Sequence, residues 1–66
     1  MKIMWTNKYS QEKGYVQSVS KAKKCFVNTF DADEARTFKT KKAAQTVIDT
    51  LVEYGEGENN AFEIVD

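Results

Sequence analysis

The 66-residue sequence contains no histidine and no proline, only three glycines, and a single cysteine. The absence of histidine excludes Ser-His and Cys-His nucleophile pairs, most zinc sites and the usual general base near neutral pH. Because Cys25 is the only cysteine, the chain can form no internal disulfide. This is typical of a reducing interior, and we therefore expect a cytoplasmic protein.

Other signals of chemistry are also missing. There is no glycine-rich phosphate loop, and no apolar run exceeds three residues, so we expect no membrane-spanning segment. Cys25 is flanked by Lys24 and Phe26 in a predicted apolar strand, where a lone cysteine usually fills the core. Two acidic groups lack the ligand spacing of a calcium loop and are typical of solvated turns: Asp31, Asp33 and Glu34, then Glu53, Glu56 and Glu58. We expect no catalytic residue, metal ion or cofactor, and therefore no enzyme.

The length allows one small domain over residues 1–66, with a small core and marginal stability. The net charge is zero, but it is unevenly distributed. Residues 1–42 carry a net +6, whereas residues 43–66 hold six acids and no cation, a net −6. Either the two halves fold together and their charges intermix, or the asymmetry indicates binding surfaces.

The residue pattern predicts a meander of short strands before a helix. "YVQSVS" (15–20) and "KCFVNTF" (24–30) are rich in β-branched and aromatic residues and predict a hairpin. "ARTFK" (35–39) predicts the third strand of this meander, and "KIMWT" (2–6) a short additional first strand. The polar residues 7–14 and 31–34 predict a connection and a turn.

The helix is predicted over residues 41–54. Thr40 can cap its N-terminus, and Gly55 suits the left-handed residue that ends a helix. Half of the circumference is apolar and half polar at 100° per residue. The apolar half consists of Ala43, Ala44, Val47, Ile48, Leu51, Val52 and Tyr54. After an acidic loop, "AFEIVD" predicts a last strand over 61–65, with Phe62 and Ile64 on one face.

These elements predict an α+β fold, a two-layer sandwich in which an antiparallel meander packs against one amphipathic helix. One helix covers only one face of the sheet. The second face is covered by Trp5 or the N-terminal segment, or it binds a partner or a second copy of the protein. We expect this face to include some of Tyr15, Val16, Val19, Cys25, Phe26 and Val27.

Basic residues surround the predicted start of the helix. Lys39, Lys41 and Lys42 lie where the helix dipole is positive, and each could cost a few tenths of a kcal/mol there. Asp49 and Glu53 add a like-charge pair near the negative end. Two explanations are open: an anionic partner binds the lysines, or folding brings them close to acids such as Asp31, Asp33 and Glu34.

"FKTKKAA" (38–44) resembles the strand-to-helix junction of the arm-site-binding N-terminal domains of phage and transposon tyrosine integrases. The matching residues are Phe38, Thr40, Lys41, Lys42 and Ala44. The resemblance implies a three-stranded sheet that enters the DNA major groove, with the hairpin 15–30 and its tip lysines contacting bases. Thr37 stands where that family usually has glycine, and the C-terminal strand is additional. In overall layout the chain also looks like small β-rich phage proteins with one helix, some of which inhibit host proteins.

Two binding functions follow. The first is a protein-interaction module whose partner is an unknown protein or a second copy, and the zero net charge favours it. The alternative is a nucleic-acid-binding domain that uses the basic hairpin and the lysine-rich helix start. The candidate binding residues are Lys21, Lys23, Lys24, Arg36, Lys39, Lys41 and Lys42.

Overall fold

The computed structural model describes all residues, 1–66. It contains a four-stranded sheet and one α-helix, namely β1 (Lys2–Asn7), β2 (Lys13–Ser20), β3 (Cys25–Thr29), α1 (Lys41–Glu53) and β4 (Asn60–Val65). The strand order is β3-β2-β1-β4, and every neighbouring pair is antiparallel. The predicted α+β fold is confirmed. None of the helices has the length and apolar character needed to cross a bilayer.

The core lies between α1 and one face of the sheet. Strand alternation places Ile3 and Trp5 on the same face, where they pack with Ala44, Ile48 and Leu51 of the helix. In the β1–β4 register, Ile3 opposes Ile64 and Trp5 opposes Phe62. The prediction that Phe62 and Ile64 share a face is therefore confirmed, and this face is the one that α1 covers.

An irregularity in β2 increases the number of apolar side chains on the core face. The register between β2 and β3 shifts between Val16 and Ser18, leaving Gln17 as the extra residue. Val16 and Val19 are three residues apart, so in a regular strand they would point to opposite faces. With the bulge, both pack in or against the core.

The predicted strand over 35–39 is wrong. After β3 the chain forms a 3-10 turn (Ala32–Glu34) and then runs irregularly to the helix. The segment makes isolated backbone hydrogen bonds instead of a ladder: Arg36 N–H donates to Val16 O at 3.1 Å, and Phe38 N–H donates to Met1 O at 2.7 Å. Because Ala35 and Phe38 are its buried residues, its apolar spacing is three and not the two of a strand.

Local signals set the ends of α1 as predicted. The Thr40 hydroxyl accepts a hydrogen bond from Ala43 N–H at 3.1 Å, and Gly55 follows the helix with φ of 95°. The predicted apolar half is wider than the buried face, because Ala43 is exposed and Val52 is 54% exposed. A short 3-10 turn (Glu56–Glu58) replaces part of the predicted acidic loop and leads into β4.

Candidate interaction surfaces

The face of the sheet opposite α1 carries no second layer. Its central row crosses all four strands, because Met4 opposes Glu63 on one side and Tyr15 on the other, and Tyr15 opposes Thr29. Not one residue of this face is buried. We call it the open face, and it comprises Met4, Thr6, Tyr15, Ser18, Ser20, Cys25, Val27, Thr29, Ala61 and Val65 with the charged residues Lys2, Lys13 and Glu63.

The expectation that Trp5 covers this second face is wrong, because Trp5 is 6% exposed and lies on the helix side. Of the residues predicted for the second face, Tyr15, Cys25 and Val27 lie on it, whereas three lie on the helix side: Val16, Val19 and Phe26. Met4 and Val65 were missed. Side chains alternate between the two faces along "KIMWTN" and "NAFEIV". Because Ile3 and Phe62 face the core, this alternation places Met4 and Val65 on the opposite face.

The chemistry of the open face suits contact with a protein surface. Its centre combines a methionine, a tyrosine, valines and threonine hydroxyls, and its charged residues include both signs. Methionine and tyrosine are enriched where proteins contact each other, and charges are typical of interface rims. Cys25 is a free, half-buried thiol here, and no group of three potential metal ligands is present anywhere in the fold.

All seven predicted binding cations are exposed, but the structure brings only some of them together. Lys21 follows β2 in the hairpin turn, whereas Arg36 lies before α1; the two side chains line one groove of about 320 Å³. We call this the basic groove. Its remaining lining residues are Val19, Thr46, Val47, Thr50 and Tyr54. The other predicted binding residues do not line it, namely Lys23, Lys24, Lys39, Lys41 and Lys42.

The predicted pairing of lysines with the acids of the 31–34 turn is not seen among the hydrogen bonds. The Asp31 carboxylate instead accepts from Asp33 N–H at 2.9 Å, within its own turn. The two lysine side chains that donate hydrogen bonds, Lys2 and Lys8, donate to backbone carbonyls. Arg36 lies 5.0 Å above the ring of Phe38, a cation–π contact that leaves its charge unneutralised.

An aromatic cluster at one end of the core was also missed. Trp5 and Phe62 each contact Phe26, with ring centroids 6.3 and 5.6 Å apart, although β3 and β4 are opposite edges of the sheet. The rings meet at tilted or edge-to-face angles, and the Trp5 indole N–H donates to Tyr15 O at 3.2 Å. These three rings pack in or against the core, whereas Phe30, whose ring centroid lies 5.8 Å from that of Trp5, is 67% exposed.

Neither protein-family models, nor curated protein sequences, nor solved structures gave a match to this chain. The resemblance of residues 38–44 to integrase N-terminal domains is therefore untested and stays a prediction. What the chain binds has to be inferred from its own surfaces: the open face and the basic groove.

Proposed function

We propose that this protein is a non-enzymatic interaction module, working in a reducing compartment, that binds a partner protein through the open face. One observation carries the proposal: a face crossing four strands holds Met4, Tyr15, Val27 and Val65 but buries none of them. A partner that covers these side chains would gain roughly 25 cal/mol for each Å² of apolar surface removed from water. Only nine of the 66 residues are buried, so the chain has a small core of its own.

A matched pair of variants tests this proposal. Val27 is 47% exposed on the open face, whereas Val52 is 54% exposed on the helix. Val27→Lys and Val52→Lys make the same chemical change at nearly equal exposure, and each should alter stability by no more than about 0.5 kcal/mol. The two variants therefore differ mainly in which surface receives the new charge.

The partner would be recovered from a cell extract on the immobilised wild-type chain, purified, and titrated against each variant by calorimetry. Val27→Lys should weaken binding by about tenfold or more, because it replaces an apolar contact of the open face by an ammonium that the partner would have to desolvate. Val52→Lys should bind as the wild type does. Equal affinities for both variants and the wild type would overturn the proposal. If the wild-type chain dimerises in sedimentation experiments and Val27→Lys abolishes the dimer, the partner is a second copy of the protein.

A second function, nucleic-acid binding, is favoured by the basic groove. Lys21 and Arg36 come from separate elements yet line one groove, which also carries the hydroxyl of Tyr54. The Thr46 and Thr50 hydroxyls in the groove already donate to backbone carbonyls of the helix. Ammonium, guanidinium and hydroxyl groups are common phosphate contacts in protein–nucleic acid complexes. The open face contributes little to this function, because Lys2 and Lys13 are its only cations and Lys2 already donates to Ala32 O.

A titration of the labelled protein with a short mixed-sequence DNA duplex distinguishes the two functions. Nucleic-acid binding predicts salt-sensitive amide shifts at residues 19–26 and 36–42, which the double variant Lys21→Gln, Arg36→Gln should reduce. The control is Lys8→Gln, because Lys8 donates to Gly57 O and lies outside the predicted set. Absence of shifts at low salt would remove this second function.

A further inference from the structure

The two edges of the sheet differ in how they are protected against pairing with another chain. Edge strands are commonly blunted by lysines, prolines or bulges. At one edge, β3 pairs with the bulged part of β2 and directly follows a turn that contains Lys21, Lys23 and Lys24. At the other edge, β4 pairs with β1 through six consecutive residues without a register shift. It contains no lysine, arginine or proline, and Glu63 is its one charged residue. Because β4 is the last strand of the sheet, its outer backbone groups have no strand to pair with.

An apolar groove adjoins this unprotected edge. Val52 and Ile48 of α1 and Phe62 of β4 form its apolar lining, and its volume is about 360 Å³. We call it the edge groove. Val52 is 54% exposed although it belongs to the apolar half of the helix. An added strand would direct alternate side chains to the helix side, where this groove could accept them.

The charge around the edge is negative. Glu58 lines the edge groove, and Glu63 points to the open face from the middle of β4. Residues 43–66 contain six acids and no cation. Two cations lie near β4, and backbone carbonyls hold the ammonium groups of both: Lys8 donates to Gly57 O at 2.8 Å, and Lys2, which opposes Val65, donates to Ala32 O at 2.7 Å. The edge therefore favours a strand with basic side chains.

We infer that β4 and the edge groove bind an extended basic segment of another protein as a fifth strand. Its apolar side chains enter the edge groove on the helix side, and its basic side chains meet Glu63 on the opposite side. A second copy pairing through its own β4 is disfavoured, because it would bring together two strands that each carry Glu63 and no cation. This site shares Glu63 with the open face, but its edge groove lies on the helix side of the sheet, and it does not depend on the proposed function.

The test uses a capped peptide of about ten residues in which valine and lysine alternate, the length of a long strand. Two control peptides keep the alternation but replace every valine by serine, or every lysine by glutamate. Amide shifts of the labelled full chain would locate binding, and fluorescence anisotropy of labelled peptides would give affinities. We expect shifts concentrated in residues 60–65, with both control peptides binding at least about tenfold more weakly.

Variants of the full chain separate this site from the open face. Val52→Lys should weaken binding of the valine–lysine peptide about tenfold, whereas Val27→Lys should leave the affinity for this peptide unchanged. Glu63→Lys adds a lysine to the edge strand and should also weaken binding of this peptide. The amide spectrum of the variant should show that its fold is unchanged. If the serine peptide binds as tightly as the valine–lysine peptide, charge attraction alone explains the binding and the inference is overturned. Shifts confined to residues outside both β4 and the lining of the edge groove, or dimerisation through β4 without peptide, would overturn it as well.

Discussion

Gly14 illustrates how one residue holds the aromatic cluster in place. It opposes Trp5 in the β1–β2 register, and the indole ring lies over it. A Cβ atom at position 14 would lie 2.6 Å from Cζ2 of Trp5, closer than van der Waals contact allows. The requirement is for space: the ring that contacts Phe26 and donates to Tyr15 O can lie there only if residue 14 has no side chain.

Gly14→Ala should therefore destabilise the protein by about 1–3 kcal/mol, because the indole must shift within a packed core. For a domain of this size, each kcal/mol lowers the Tm by roughly 4–8 °C. Thermal unfolding followed by tryptophan fluorescence measures the change. Gly57→Ala is the control, since its Cβ would meet Val52 at 3.3 Å, a side-chain methyl that can give way. Similar losses for both variants would contradict the role of the indole.

Thr40 is the second residue with a defined local role. Its hydroxyl accepts from Ala43 N–H, one of the helix donors that has no partner within α1. Thr40→Ala should cost about 1 kcal/mol, and Thr40→Ser should restore most of the loss because serine is an equally good cap. Chemical denaturation measures both. A Thr40→Ser variant as unstable as Thr40→Ala would show that the hydroxyl is not what matters.

At the scale of the element, α1 has no acid in its first turn and no base in its last. This arrangement opposes the helix dipole at both ends. Lys41 and Lys42 occupy the first turn, Lys39 precedes it, and none of the three donates to the carboxylate of Asp31 that the sequence offered as compensation. The lysines are therefore available to an anionic partner.

Replacing Lys39, Lys41 and Lys42 together by glutamine should leave the free energy of unfolding unchanged or raise it by a few tenths of a kcal/mol per residue. Urea denaturation at low salt measures this, because salt screens the effect. The matched control replaces Lys13, Lys21 and Lys23 by glutamine, which removes three exposed cations outside the helix. A loss above about 1 kcal/mol in the first variant alone would indicate internal pairing that the structure does not show.

The elements differed in how well the sequence predicts them. The ends of α1 were predictable because the Thr40 cap and the φ of Gly55 are decided by neighbouring residues. The segment 35–39 was not, because Phe38 has the aromatic character of a strand residue but is buried as an anchor, with its N–H bonded to Met1 O. That contact joins residues far apart in sequence and leaves no local pattern.

Whole-molecule features depend most on contacts between distant residues. Three features require the folded sheet: the bulge at Gln17, the pairing of β4 with β1, and the groove that Lys21 and Arg36 both line. The basic set was readable from sequence, but which two of its members share a groove was not. Likewise, one helix packed on a meander predicts that one face of the sheet is uncovered. Which residues lie on that face depends on the register of the paired strands.

The small core makes the whole molecule sensitive to a single cavity. A 66-residue domain is expected to be stable by roughly 3–10 kcal/mol, and Leu51→Ala should remove about 2–5 kcal/mol because Leu51 is 0% exposed. Urea denaturation followed by circular dichroism measures this loss. Val52→Ala, one residue along and 54% exposed, should lose far less. Equal losses for the two variants would contradict the description of the core.

The most direct test of the central claim, that the open face binds a partner protein, is a methyl-resolved NMR titration with the captured and purified partner. Methyl groups report which face is contacted, whereas amides report only the strand. The claim predicts shifts for Met4, Val27 and Val65 and none for Val52, since these methyls lie on different surfaces. Shifts at Val52 with Met4 and Val27 unchanged would contradict it.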